Sequence, residues 1–473
     1  MKNRLGLTFA VVAAIFLIGC TMSPNYVPPV APIPAEWPEG EAYRKNTTEP
    51  GTFDPTVPGW QEFLTDAKLR QVIGLALTNN LDLRIAAMKV EEARALYNVQ
   101  RADLLPSIDA SGSGSRQRVP ADLSITGHRR TSSEYTATLG VMSWEPDVFG
   151  RIRSLKDRAL QEYLASDQAR RNVQILLVSS VAQAYLSLAA DQEKLAIAET
   201  TLKAQKASYT LISRRLNAGL LATELDLCRA QTQVDTARGD VAAFIQRVAI
   251  DRNALTLLAG QTVPEQLLPV RQAEVAPLHD FDTGVSSDTL LSRPDVVQAE
   301  DELKACYANI GAARAAFFPR IALTTGAGSA SSDLSDLFKG GQGTWSYAPQ
   351  VTLPVFDART WSALKVAKTQ RNTAVTQYQK TIQGAFREVA DTLAVQGTVD
   401  KQVSAQESLV NAVSETYRLS NSRYDRGVDS YLSVLDAQRT LYDAQQGLVS
   451  LRLAKQTNLV KLYAALGGGV REK

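Results

Sequence analysis

Residues 101–106 read Arg-Ala-Asp-Leu-Leu-Pro, and 213 positions later residues 314–319 read Arg-Ala-Ala-Phe-Phe-Pro. That return decides the architecture. Asp82–Pro106 aligns without a gap to Asp295–Pro319. After each proline the chain becomes rich in Ser, Thr and Gly with alternating apolar positions. A second alternating segment follows and closes at Phe149-Gly150-Arg151 or at Phe356-Asp357-Ala358. The chain is one structural plan written twice, so any fold assigned to one half applies to the other.

Beyond those closing points proline disappears, from Asp147 to Val263 and from Val355 to the C-terminus. A proline inside a helix costs about 3 kcal/mol, so such stretches mark long helices. Gly219 and Gly427 stand at matching places, in Arg215-Leu216-Asn217-Ala218-Gly219 and Arg423-Tyr424-Asp425-Arg426-Gly427, and each predicts a tight reversal between two helices. The helices 151–218 and 358–426 would then be roughly 100 Å long at about 1.5 Å per residue. Their return helices, 222–258 and 429–465, flank only part of that length, and the shorter helices 82–104 and 295–317 flank the rest. Val178, Val181, Ala182, Tyr185, Leu188 and Ala189 form one narrow stripe, with Ser179, Ser180, Gln183 and Ser187 off it. Close helix-to-helix contact in a rod is the expectation.

The segments between the helices read as strands. Tyr135, Ala137, Leu139 and Val141 alternate with Thr136, Thr138 and Gly140; Trp345, Tyr347, Pro349, Val351 and Leu353 alternate with small or polar residues. Their partners begin near Ile108 and Ile321, and polar loops at 118–134 and 329–344 cap the two hairpins. Each strand has the length needed to cross a bilayer at a tilt, about 9–11 residues. A soluble sheet packed on the helices has the same alternation. Four strands, however, leave two open edges, which a membrane does not tolerate, and closed barrels need at least eight. Two, three or four chains would close one of 8, 12 or 16 strands.

The N-terminus sets the compartment. Lys2 and Arg4 precede the apolar run Leu5–Ile18, too short to span a bilayer but suited to a signal-peptide core. The run ends in Leu17-Ile18-Gly19-Cys20, which looks like a lipoprotein cleavage site with Cys20 as the lipidated residue; Thr21 follows, and outer-membrane delivery is the reading. The expected organisation is a signal peptide at 1–19, a lipid-anchored segment at 20–65, a first repeat at 66–263, a Pro-containing linker at 264–290 and a second repeat at 291–473. No later run of about twenty apolar residues is apparent, so further membrane contact is expected from strands.

Composition narrows the function. The 51 basic and 49 acidic residues nearly cancel, which leaves no electrostatic footprint for nucleic acid. Two histidines, His128 and His279, argue against a His-based triad or a multi-His metal site. Cys228 and Cys306 occupy non-matching places in the repeat and read as separate buried thiols. No nucleophile–base set, phosphate loop or metal-ligand cluster is legible, so the chain reads as a non-enzyme without cofactor or metal, apart from covalent lipid on Cys20.

With these elements in place the chain resembles the outer-membrane factors, the TolC family, and within them the lipoprotein branch of multidrug-pump channels. The carrying residues are Cys20 with Pro24-Asn25-Tyr26, the 101–106 motif, Gly311-Ala312-Ala313-Arg314-Ala315-Ala316-Phe317-Phe318-Pro319, Tyr431-Leu432-Ser433-Val434-Leu435-Asp436-Ala437-Gln438-Arg439, and Leu462-Tyr463-Ala464-Ala465-Leu466-Gly467-Gly468-Gly469. The resemblance implies a mainly α fold with a membrane β-barrel portion. Each chain of a homotrimer would give four strands to a 12-stranded barrel and its helical hairpins to a periplasmic α-helical tunnel. It implies an outer-membrane exit duct for drugs or other small toxic compounds, with a periplasmic adaptor and an inner-membrane RND-type pump as partners. Ducts for metal ions or type I secretion share the plan; a non-channel coiled-coil tether would need no strands.

By the same resemblance a periplasmic gate falls on Leu432, Asp436 and Arg439, spaced four and then three residues so that they share one helix face. Spacing alone reads Asp436 and Arg439 as a solvated ion pair. Asp226 facing Arg423 or Tyr424 is the secondary contact the resemblance implies.

Overall fold

The computed structural model describes residues 21–43, 58–219, 222–279 and 286–469. Cys20 and the expected signal peptide at 1–19 lie outside the described residues. After a single helical turn at Trp60–Phe63 come α1 (Ala67–Asn79), α2 (Leu81–Ala102), β1 (Ile108–Val119), β2 (Arg130–Trp144), α3 (Arg151–Asn217) and α4 (Glu224–Ala259). The second half repeats the order with α5 (Pro294–Ala315), β3 (Arg320–Ser331), β4 (Gly343–Thr352), α6 (Ala358–Asp425) and α7 (Tyr431–Ala465). The predicted long helices are continuous, 67 residues in α3 and 68 in α6. The hairpin loops are shorter than expected, 120–129 and 332–342, because ladder pairing runs on into polar sequence as far as Val119↔Arg130 and Ser329↔Gly343.

The reversals sit where the glycines predict them. Gly219 and Gly427 have φ of +67° and +71°, a region that costs a side chain Cβ strain but costs glycine nothing. At Gly427 the amides of Gly427 and Val428 donate to the carbonyls of Tyr424 and Arg423, each at 3.0 Å, which ends α6 by satisfying two otherwise orphaned carbonyls. On the other side of the first reversal, Thr223 and Asp226 form a reciprocal capping box that starts α4.

The fold divides into two compact units that cut across the two repeats. One comprises 21–30, Lys89–Asp167 and Gln298–Gln379 and holds the whole sheet. In it the segment 21–30 lies without regular structure on α5, fastened where the Tyr26 hydroxyl donates to Glu300 at 2.9 Å and its ring meets Tyr307 edge-on at 5.4 Å. The other unit comprises 31–88, Gln168–Val297 and Lys380–Lys473 in its described parts. Its core buries Phe63, Leu69, Val72 and Ile73 against Val178, Val181, Tyr185 and Leu188, with Phe63 and Tyr463 stacked at 4.5 Å.

The α3 stripe is wider here than the sequence predicts: Leu177, Leu186 and Ser179 are buried together with the six expected residues. The reason is tertiary, since α1, α4 and Tyr463 all contribute to the same cluster. One window of Arg151–Asn217 is apolar and long enough to cross a membrane, contrary to expectation, but 61% of it is buried inside the fold. Its apolarity is used in core packing. The two thiols are free as expected, yet Cys228 is exposed and Cys306 only half-buried. Cys228 falls on the outward side of α4, between the buried positions Ala230 and Val234 and the helix start.

Candidate functional site

Two regions carry functional geometry: the sheet, and the paired ends of the helical hairpins.

The four strands form one antiparallel sheet in the order β1-β2-β3-β4, so β1 and β4 each have one neighbour. Residues directly paired across antiparallel strands share a face, and the register therefore sorts every side chain. One face collects Ile108, Ala110, Val141, Leu139, Ala137 and Tyr135. Through Val141↔Thr325 and Leu139↔Ala327 it continues into Ile321, Leu323, Tyr347, Trp345, Pro349 and Val351. The opposite face collects Asp109, Ser111, Ser113, Ser115, Thr136, Thr138 and Glu134, then Thr324, Ser346, Gln350 and Thr352. Ser113 and Thr136 join hydroxyls at 2.7 Å on it.

Where the halves of the chain meet, at β2–β3, glycines line this polar face. A Cβ on Gly140 would stand 2.2 Å from the Thr325 carbonyl oxygen, and one on Gly328 would stand 2.0 Å from that of Ala137. Backbones this close leave no room for a side chain, so glycine is required at both positions. Ser143 adds an irregularity between Val141 and Trp144, with φ of +59°. One apolar face and one polar face are what a wall between lipid and a wet lumen requires.

At the other region the two hairpin ends pack on each other. Ile212, Ala230, Tyr431, Val434 and Leu435 form a buried cluster ringed by Tyr209, Leu227, Tyr417 and Tyr424. Arg215 is the residue that sequence reasoning missed. It lies over the Tyr424 ring at 5.1 Å and pairs with Asp425 at 3.3 Å, joining the end of α3 to the end of α6. Burial pushes the Tyr431 phenol up to about 12. The recurrence of tyrosine near both turns was the signal available in the sequence.

Leu432, Asp436 and Arg439 are all exposed on one face of α7, whose other face is buried through Tyr431, Val434, Leu435, Ala437 and Gln438. Asp436 and Arg439 pair at 3.4 Å within the helix. The secondary residues take other partners in the single chain. Asp226 caps α4 and lies 3.9 Å from Arg229, while Arg423 pairs with Asp429 at 2.5 Å. That hydrogen bond holds the Asp429 carboxyl below its ordinary range. The structure thus brings Tyr424 to the hairpin contact but does not bring Asp226 to Arg423.

A two-faced sheet of bilayer-crossing strands that continues into paired helical hairpins defines a channel-forming protein of the outer membrane. The chain belongs to the outer membrane efflux protein family, whose sequence profile matches residues 72–261 and 285–468. It is 48% identical to the antibiotic efflux pump outer membrane protein ArpC of Pseudomonas putida, covering 98% of this chain and 95% of the relative. It is 41% identical to outer membrane protein OprJ of Pseudomonas aeruginosa, covering 97% and 95%. The open-state MtrE outer membrane channel of Neisseria gonorrhoeae superposes with a TM-score of 0.85 at 35% identity, covering 96% of this chain and 99% of that one. The protein is an outer-membrane component of an efflux pump, a part of transport machinery.

Proposed function

We propose that three copies of the chain close a 12-stranded barrel and a periplasmic helical tunnel through which an efflux pump discharges drugs, solvents or other small toxic compounds. The observation that carries this reading is the two-faced sheet with open edges at β1 and β4. An open edge in lipid leaves backbone groups unpaired at several kcal/mol each, so the four strands need further copies to complete a wall. Relatives named for antibiotic and for toluene efflux support the cargo class. Lipid on Cys20 anchors the chain, a periplasmic adaptor docks at the hairpin ends, and an inner-membrane RND-type pump supplies the drive.

The gate of this channel is the exposed face of α7. In each subunit Leu432 supplies an apolar side chain, and Asp436 and Arg439 supply opposite charges open to a neighbouring copy. Exposed pairs contribute about 0–1 kcal/mol each, so three copies hold a closed state that adaptor contacts can overcome. The test is single-channel current in planar bilayers, wild type beside Asp436→Ala/Arg439→Ala. Small steps in the wild type and larger ones in the variant are expected. Equal steps would move the gate elsewhere, and no current from either would refute the pore.

A further inference from the structure

The end of the first hairpin away from the helices carries a concentration of positive charge. Arg116 and Arg118 close β1, His128 and Arg129 lie in the turn, and Arg130 opens β2. All are exposed, and the four arginines make no ion pair among the described residues. The acidic residues at this end are Asp122, in the turn, and Glu134, which pairs in register with Ser115 on the polar face. In the second hairpin Lys339 already pairs with Asp336 at 2.5 Å.

The register separates these cations by face. Arg116 pairs with Ser133 and Arg118 with Thr131, in phase with Ile108↔Val141, Ala110↔Leu139 and Gly114↔Tyr135 on the apolar face. Arg130 pairs with Val119, in phase with Ser113↔Thr136 on the polar face. Along β1 the apolar face therefore runs Ile108, Ala110, Gly112, Gly114 and then Arg116 and Arg118. The two arginines begin one pleat repeat, about 7 Å, beyond the level of Tyr135, and continue about 7 Å further. They are too far along the strand for the hydrocarbon and at the depth of lipid headgroups, just past the aromatic ring that marks such a boundary. Arginine suits that place, since its apolar stem lies along the barrel while the planar fork grips phosphate oxygens in pairs.

We propose that Arg116 and Arg118 form a binding site, on the lipid-facing side of the outer rim, for the phosphate groups of an anionic lipid of the outer leaflet. The site rests on the barrel reading above, because it needs the apolar face to meet lipid. Two adjacent outward-facing cations that meet no acidic side chain among the described residues favour a lipid that carries phosphate over one that carries none.

The test is native mass spectrometry of the full chain in detergent, with bisphosphorylated lipid A and fully dephosphorylated lipid A as probes. The wild type should retain the bisphosphorylated probe at least tenfold more than the dephosphorylated one. Arg116→Gln/Arg118→Gln should abolish that preference, Arg116→Lys/Arg118→Lys should keep part of it, and Arg130→Gln on the other face should keep all of it. No preference in the wild type, an unchanged preference in the glutamine variant, or an equal loss in Arg130→Gln would each overturn the site. Planar-bilayer currents on the same preparations keep the two readings apart. Normal steps with unchanged lipid retention overturn the lipid site alone, whereas absence of current in the wild type overturns the barrel on which it rests.

Discussion

Replacing Asp251 by Asn should stabilise the helical unit at neutral pH and flatten its pH dependence. Asp251, on α4, has one carboxylate oxygen, Oδ2, buried away from solvent. Asp191, on α3, stands opposite and is itself 3.8 Å from Lys194. Burial first, and then the negative charge of Asp191, push the Asp251 carboxyl up from its ordinary range to about 6, against the opposing pull of Arg247 and Lys194. At about 1.4 kcal/mol per pKa unit, a rise of that size has an upper bound of about 3 kcal/mol. Asp251 keeps some solvent contact, and screening reduces this to about 1–2 kcal/mol.

The direction follows from proton linkage. A carboxyl whose pKa is higher in the folded state binds its proton more tightly there, so stability falls as pH rises from about 4 through about 6. Above about 6 the full penalty is present; below about 4 it is gone. The carboxamide of the Asp251→Asn variant carries no charge at any of these pH values. Thermal unfolding followed by circular dichroism between pH 4 and 8 should show the Asp251→Asn midpoint above wild type by a few degrees at pH 7.5, the two converging near pH 4. Asp191→Asn should recover part of the same gain, less what is lost with the Lys194 pair. Parallel wild-type and Asp251→Asn profiles across this range would show that the Asp251 carboxyl is solvated, and the reasoning would fail.

Two further predictions test close approaches. Gly328→Val places a Cβ 2.0 Å from a backbone oxygen that cannot move without unpairing β2 from β3; it should abolish the trimer band that the proposed barrel predicts after chemical cross-linking, whereas Gly112→Val, whose nearest neighbour is 3.9 Å away, should retain it. Gly311→Val meets Ser23 at 2.2 Å from Oγ and 2.7 Å from the amide nitrogen. It should lift the segment 21–30 off α5 and speed chymotrypsin cleavage after Tyr26 at least tenfold, with helix content unchanged.

Much of this protein was legible in its residues because the codes involved are short-range. Absence of proline and a left-handed glycine at each turn set the helix lengths and their reversals, since both act on a residue's own backbone. Alternation along Tyr135–Val141 announced a strand with unlike faces, because successive side chains must point oppositely. The four-then-three spacing placed Leu432, Asp436 and Arg439 on one exposed helix face for the same reason. Other features depend on contacts between residues far apart in the chain. The pairing of β2 with β3 joins residues almost 190 positions apart, as in Leu139↔Ala327, and it alone shows that Gly140 and Gly328 are packing requirements. The width of the α3 stripe depends on α1 and Tyr463. Arg215 finds Tyr424 and Asp425 only because the two hairpins pack side by side. Cys228 looked like a buried thiol and is exposed, because one residue's polarity does not say which side of a helix the neighbours will cover. Local backbone preference and periodicity determined the elements; burial, and the partner each side chain meets, were decided by the tertiary structure, since both are properties of segments brought together and not of any one segment.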